Sequence, residues 1–212
     1  AWEWLPPDYF IRQTQHFREA GVDVIVVDSA HGFSKFVIDT VEHIKKHFSV
    51  EVIAGNVATS EGAEALIAAG VDGLRVGMGP GAICTTRIIS GMGVPQVTAL
   101  MEAVRASGNS GVPIIADGGL NEYGDVCRAL AAGADAVMSG KFFAGCADTP
   151  GTLSLKGTKP YFGMASNRAM RLIKREEDMA TPEGKEIEVQ ATSVLARDIV
   201  KELKGAIQSS MS

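Results

Sequence analysis

The segment Gly77-Met78-Gly79-Pro80-Gly81-Ala82-Ile83-Cys84-Thr85-Thr86 sets alternate glycines ahead of a thiol and two hydroxyls. Glycines so spaced let backbone amides approach an anion, or let carbonyls wrap a cation. A thiol just beyond them, in a loop at a strand end, has two readings. It is a nucleophile activated by its surroundings, or one more small buried hydrophobe. Cys127 and Cys146 fit the second reading better, on a helix face and in an alanine-glycine packing segment. Asp117-Gly118-Gly119 offers another constellation: a carboxylate able to accept hydrogen bonds from vicinal hydroxyls such as those of a ribose, followed by amides suited to a phosphate. The same aspartate also suits a helix N-cap. A second such turn, Ser139-Gly140, follows one β/α unit later.

These groups need elements to position them. Val24–Val27, Val52–Ala54, Leu74–Val76, Val112–Ala116 and Ala136–Met138 are apolar runs that read as buried strands. Between them, about 36–47, 61–69, 97–107 and 124–132 read as helices, and a final amphipathic helix spans about 193–207. This alternation predicts a parallel sheet covered on both faces. Gly21-Val22-Asp23, Gly70-Val71-Asp72 and Gly133-Ala134-Asp135 each join a helix end to a strand, marking one unit used repeatedly. Polar or glycine residues stand at the carboxyl end of each strand, where α/β enzymes place their chemistry. Beyond Thr152 the pattern changes. Residues 153–162 read as a hairpin around a glycine turn, and the charged stretch from Arg168 to Lys185 as a solvated helix end and loop.

Composition bounds the function classes. With 212 residues, 46% hydrophobic and 21% charged, the chain is long enough for one domain with a sizeable core. A net charge of -5, without a basic stripe, argues against a nucleic-acid surface. No apolar run is long enough for a membrane span, and Ala1-Trp2-Glu3-Trp4 does not open a signal peptide. Three cysteines without CxxC spacing predict reduced thiols and a cytoplasmic setting, not a disulfide framework or zinc site.

Taken in order, Asp28-Ser29-Ala30-His31-Gly32, Ala54-Gly55-Asn56-Val57, Gly77 through Thr86, Ile115-Ala116-Asp117-Gly118-Gly119 and Tyr161-Phe162-Gly163-Met164 resemble the IMP dehydrogenase/GMP reductase superfamily. The resemblance runs from about Gly21 to the end of the chain. It implies a (β/α)8 TIM barrel, of which this chain carries about the last five β/α units, forming a single partial catalytic domain with a hairpin and flap-like loop at about 153–186. It further implies that Cys84 attacks C2 of a purine mononucleotide and forms a covalent adduct. Asp117 would hold the ribose hydroxyls; Gly118, Gly119 and Gly140 would line the phosphate site, with Tyr161 beside it. Asn56, Gly163, Met164 and Glu183 would address the nucleotide, Glu183 through the base edge. Asp28, Ser29 and Gly77 would meet the dinucleotide, NADPH or NAD, and the carbonyls of Gly79, Gly81 and Cys84 would suit potassium. Relatives of this kind imply a homotetramer.

Two positions depart from the family pattern. Ala82 stands for a phosphate-binding serine, and Lys141 follows Gly140 where the family has a small residue, so its ammonium can replace the lost contact. The branches of the family differ at C2. The dehydrogenase must hydrolyse the adduct with water activated by an Arg-Tyr pair on a long flap. The reductase expels ammonia and takes hydride from NADPH. No Arg-Tyr dipeptide occurs in the sequence, and the interval from Gly163 to Gly184 is short for such a flap. The pattern Tyr161 through Ser166 resembles the reductase, whereas Ile83 through Gln96 resembles the dehydrogenase. The reading favours GMP reductase, with Thr86 and an acid at Glu177 or Asp178 assisting loss of ammonia. IMP dehydrogenase and a non-catalytic nucleotide-binding homologue are the alternatives.

Overall fold

A computed structural model describes residues 7–172 and 181–212. Its main sheet has five parallel strands in the order β1-β2-β3-β4-β5: Val24–Asp28, Glu51–Val57, Gly73–Val76, Ile114–Asp117 and Ala136–Met138. The helices before and between them are α1 (Pro7–Glu19), α2 (Lys35–His47), α3 (Ser60–Ala68), α4 (Thr86–Ile89), α5 (Gln96–Ser107) and α6 (Tyr123–Ala131). A two-stranded antiparallel ribbon of β6 (Thr158–Phe162) and β7 (Glu186–Gln190) follows, with α7 (Asn167–Leu172) between its strands and α8 (Ala196–Ser210) after it. The parallel sheet is the one the alternation predicts, and its five successive strands are of the TIM-barrel type that the resemblance implies.

Two compact units divide these elements. One comprises Ala1–Met78, Val94–Asp117 and Leu130–Val137; the other comprises Gly79–Gly93, Gly118–Ala129 and Met138–Ser212. In the first, Val52, Ala54, Leu74, Val76, Ile114 and Ala116 are fully or almost fully buried on the sheet. Against them pack Val37, Val41 and Ile44 of α2, Leu66 of α3 and Leu100 of α5, all equally buried. Ser34 and Thr59 cap α2 and α3, accepting from the N–H groups of Val37 and Gly62. Burial of these apolar side chains is the main stabilising contribution. Strand β1 departs from its expected burial. It lies at the sheet edge, so Ile25 is covered while Val24 and Val26 are 37% and 46% exposed. Composition reports what a strand can bury, not how many neighbours it has.

The repeated Gly-x-Asp joint has a physical explanation. Gly21, Gly70 and Gly133 sit at φ of 83°, 93° and 102°, the left-handed turn that ends a helix. The Asp72 N–H donates to the Val52 carbonyl at 2.8 Å, while the Asp72 carboxylate accepts from the Val52 N–H at 2.7 Å. Asp135 makes the same pair with Ile114, at 2.9 and 2.8 Å. Each aspartate therefore clamps its own strand to the start of the preceding one. Lys45 also donates to Asp72 at 2.7 Å. Burial disfavours the Asp72 charge, but Lys45 and the Val52 N–H outweigh it and hold the carboxyl below its usual 3.8. Because the folded-state value is depressed, this contribution is present above about pH 4 and fades as pH falls through that value. Asp72→Ala is expected to cost about 1–3 kcal/mol in urea unfolding at neutral pH. The gap between the two proteins should narrow in acid; a gap that widened there would contradict the clamp.

In the second unit, β6 pairs from Thr158↔Gln190 to Phe162↔Glu186. A turn does form at Gly157, whose N–H donates to Ser154, but residues 153–155 are not the partner strand. The local hairpin is replaced by a partner far along the chain, which a reading of adjacent residues cannot identify. Buried Lys159 donates to the carbonyls of Cys146 and Thr149 at 2.8 and 2.6 Å, fixing β6 to the preceding loop. Among the described residues no helix is long and apolar enough to cross a membrane, and no cluster of His, Cys, Asp and Glu is arranged to hold a metal.

Candidate active site

Side chains at the strand carboxyl ends of the first unit form one connected network. Asp28 ends β1, and Gly55 of β2 pairs with both Asp28 and Arg75 of β3. Arg75 is buried, with side-chain exposure of 10%. One arm of its guanidinium meets Asp28 Oδ1 and the other Asp117 Oδ2, each at 2.7 Å. Burial disfavours the Arg75 charge, but the two carboxylates outweigh it and hold the guanidinium firmly protonated. Asn56 Nδ2 donates to Asp117 Oδ2 at 2.8 Å and to the Gly77 carbonyl at 2.9 Å. Asp117 Oδ2 is thus held by two donors, which leaves the lone pairs of Oδ1 for a ligand hydroxyl. Ser29 carries on from Asp28, with backbone bonds to Gly55 and Asn56 and its hydroxyl in a turn with His31.

Gly77 shows why this position has no side chain. At φ 146° an added Cβ would lie 2.2 Å from the Asp117 carbonyl and 2.9 Å from Gln96 Oε1. Gln96 Nε2 donates to the Val76 carbonyl at 2.8 Å, tying the end of β3 to the start of α5. The oxygens Asn56 Oδ1 and Gln96 Oε1 are buried without a partner among the described residues. Neither Arg75 nor Gln96 is marked as a site residue by a local sequence motif. Arg75 carries one sequence signal, a lone charge inside the apolar run Gly73-Leu74-Arg75-Val76.

A second network lies within the other unit. Cys84 Sγ donates to Thr86 Oγ1 at 3.2 Å, and the Thr86 hydroxyl donates to Glu183 Oε2 at 2.7 Å. Backbone pairing fixes this alignment. The Thr85 N–H donates to the Glu183 carbonyl and the Lys185 N–H to the Ile83 carbonyl, at 2.9 and 2.8 Å, and Cys84 bridges Gly184. An added Cβ at Gly184 would meet the Ser166 nitrogen at 2.9 Å and the Gly163 Cα at 3.3 Å, so loops 83–86, 163–166 and 183–185 stack closely. Met164 on this layer is 70% exposed. Glu177 and Asp178 lie outside the described residues. Cys84 and Cys127 are partly exposed free thiols; Cys146 is buried, and burial raises its thiol above the usual value.

The glycine turns of this unit also converge. Gly118 and Gly119 have φ of 84° and 75°, and a Cβ on Gly118 would lie 3.1 Å from the Gly81 nitrogen. A Cβ on Gly140 would lie 2.6 Å from the Tyr161 hydroxyl. Lys141 Nζ donates to the carbonyl and side-chain oxygens of Asn121, both at 3.3 Å, just past Gly118-Gly119. Gly79 sits at φ 80°, and the Gly81 carbonyl already accepts the Cys84 N–H at 3.0 Å. One lone pair of that carbonyl is therefore used before any cation is considered.

Residues 7–212 match the family model for the IMP dehydrogenase / GMP reductase domain. The chain belongs to this family. An IMP dehydrogenase from Aquifex aeolicus is 52% identical across 91% of the chain, which spans 41% of that relative. A GMP reductase from Leishmania donovani is 44% identical across 92% of the chain, 42% of its own length. Among solved structures, a cysteine-to-alanine variant of GMP reductase from Trypanosoma brucei in complex with guanosine 5'-monophosphate superposes with a TM-score of 0.89. That protein is 43% identical, over 95% of this chain and 43% of its own. The chain thus spans about two fifths of the length of each of these IMP dehydrogenase/GMP reductase relatives. Both activities are represented among these relatives.

Proposed function

We propose that the protein is a purine-nucleotide oxidoreductase acting at C2 of the base through Cys84, and that its reaction is that of a GMP reductase. The hydrogen-bonded chain Cys84–Thr86–Glu183 carries this reading. It gives the thiol proton a route through the Thr86 hydroxyl to the Glu183 carboxylate, so Glu183, not Glu177, takes the acid–base role. The Cys84 sulfur adds to C2 of GMP as its proton passes to Glu183. That proton then returns through Thr86 to the exocyclic amine, and the C2–N bond breaks to release ammonia and leave a thioimidate on Cys84. The reduced dinucleotide, when bound, supplies the hydride that reduces C2. Collapse then breaks the C2–S bond, releases IMP and leaves a thiolate that takes a proton from water.

The other roles follow the family. Asp117 offers its free oxygen to the ribose diol, steadied by Asn56 and Arg75. Gly118, Gly119, Gly140 and Tyr161 line the phosphate, and Lys141 supplies the charge that Ala82 cannot. Gly163 and Met164 border the base. Asp28, with one oxygen held by Arg75 and the side chain 58% exposed, fits a dinucleotide ribose, beside Ser29 and Gly77. A potassium ion would take carbonyls of Gly79, Gly81 and Cys84, a set that fits in part because the Gly81 oxygen is shared with an amide. A cytoplasmic homotetramer belongs to the same reading.

The second reading, IMP dehydrogenase, draws on the 52% identity to the Aquifex protein. It requires an activated water, and the sequence has no Arg-Tyr pair to supply one. Absorbance at the reduced-dinucleotide band separates the two. In potassium buffer, GMP with NADPH should give a fall, and IMP with NAD no rise. A rise with IMP and silence with GMP would reverse the assignment; binding without turnover in either would favour a non-catalytic homologue.

A further inference from the structure

Among the described residues, Arg75 is the side chain that contacts both carboxylates proposed above for the two ribose groups. Its reach depends on Gly55, which stands between Asp28 and Arg75 in the sheet register. An added Cβ at Gly55 would lie 2.7 Å from the Arg75 Cβ and 2.4 Å from its carbonyl, so the missing side chain clears the path across β2. The planar fork then spans the sheet, with one terminal nitrogen on Asp28 and the other on Asp117. Arg75 Nε is buried and has no hydrogen-bond partner among the described residues, so the two carboxylates hold the guanidinium by its terminal nitrogens. The arrangement is asymmetric. Asp117 has a further donor in Asn56, and its side chain is 21% exposed, whereas that of Asp28 is 58% exposed.

We infer that Arg75 is a positioning residue that couples the two ligand sites, so that nucleotide and dinucleotide bind with positive cooperativity. This rests on the reading in which Asp117 takes the nucleotide ribose and Asp28 the dinucleotide ribose. A diol on the free Asp117 oxygen fixes that carboxylate, and through it the guanidinium. The guanidinium in turn fixes Asp28, the loosest member of the chain. The second ligand then meets a carboxylate already oriented and gives up less conformational freedom on binding. Linkage requires the effect to be equal in both directions. Lysine at position 75 would keep the charge, but a single ammonium cannot present two parallel arms to carboxylates on separate strands.

The test is calorimetric titration of the protein with GMP alone and with GMP in saturating NADP+, a pair with no hydride to transfer. The native protein should bind GMP about tenfold tighter with NADP+ present, and NADP+ about tenfold tighter with GMP present. In Arg75→Lys that ratio should fall to about one, with GMP alone still binding. A purely structural Arg75 would weaken both binary complexes and leave the ratio intact, overturning the inference. A native ratio of one, with both ligands bound, would sink the coupling alone. Failure of native protein to bind GMP would sink the underlying reading as well.

Discussion

Replacing Cys84 by alanine is expected to reduce turnover by at least about 10³-fold while leaving nucleotide binding largely in place. The asymmetry follows from where the thiol stands. Cys84 is a partly exposed member of the loop carrying the relay, and its side chain hydrogen-bonds to Thr86. Deleting the sulfur removes the bond-forming atom without touching the bonds that join Asn56 and Arg75 to Asp117. Steady-state rates with GMP and NADPH, set beside equilibrium binding of GMP, measure the two quantities separately. Loss of binding together with rate would mean that Cys84 acts by shaping the loop. Comparable substitutions at Cys127 and Cys146 should leave the catalytic step unaffected.

The second large effect is expected at the relay. Glu183→Gln preserves size and can still accept the Thr86 hydrogen bond, but it cannot take a proton. Turnover should fall by about 10²–10⁴-fold, the usual contribution of a positioned acid or base. Thr86→Val breaks the relay at its middle and should cost a similar amount. Because the two residues carry one proton along one path, the double variant should be little worse than the more damaged single variant. Losses that multiplied would mean that Thr86 and Glu183 act independently. The backbone bonds between Thr85 and Glu183 and between Lys185 and Ile83 do not involve the substituted groups, so the loop alignment should survive.

Much of the architecture could be read from local patterns. The five strands announce themselves because parallel strands buried by helices need continuous apolar runs. The Gly-x-Asp joints were visible as a repeat, although the reason for the aspartate emerges only with its bonds to Val52 and Ile114. The joint at Gly21 marks the end of helix α1 but not its extent, because its buried Thr14 and its Phe10 against Phe36 are set in a polar sequence. Exposure of Val24 and Val26 depends on the place of β1 in the sheet, and the partner of β6 lies beyond a long intervening loop.

The candidate site divides in the same manner. Cys84, Asp117 and the glycine turns stand in recognisable local motifs. Arg75 acts through strands on either side of it, and its role is legible only once Asp28, Gly55 and Arg75 are known to share a register. Glu183 lies 97 positions from the Thr86 hydroxyl it accepts, so no spacing rule could join them. The charged run drew the search for an acid to Glu177, where several carboxylates cluster in sequence. The glutamate proposed for that role stands beside Gly184, where the chain passes closely enough to bridge Cys84.

The most direct test of the central claim is to trap the adduct on the protein. Protein turning over isotope-labelled GMP with NADPH would be quenched in acid, digested and examined by mass spectrometry. The account predicts label on the peptide that contains Cys84, carried as the purine nucleotide less its exocyclic amine and absent from Cys84→Ala. Sustained oxidation of NADPH with no nucleotide bound to that peptide, or with label on another residue, would contradict it.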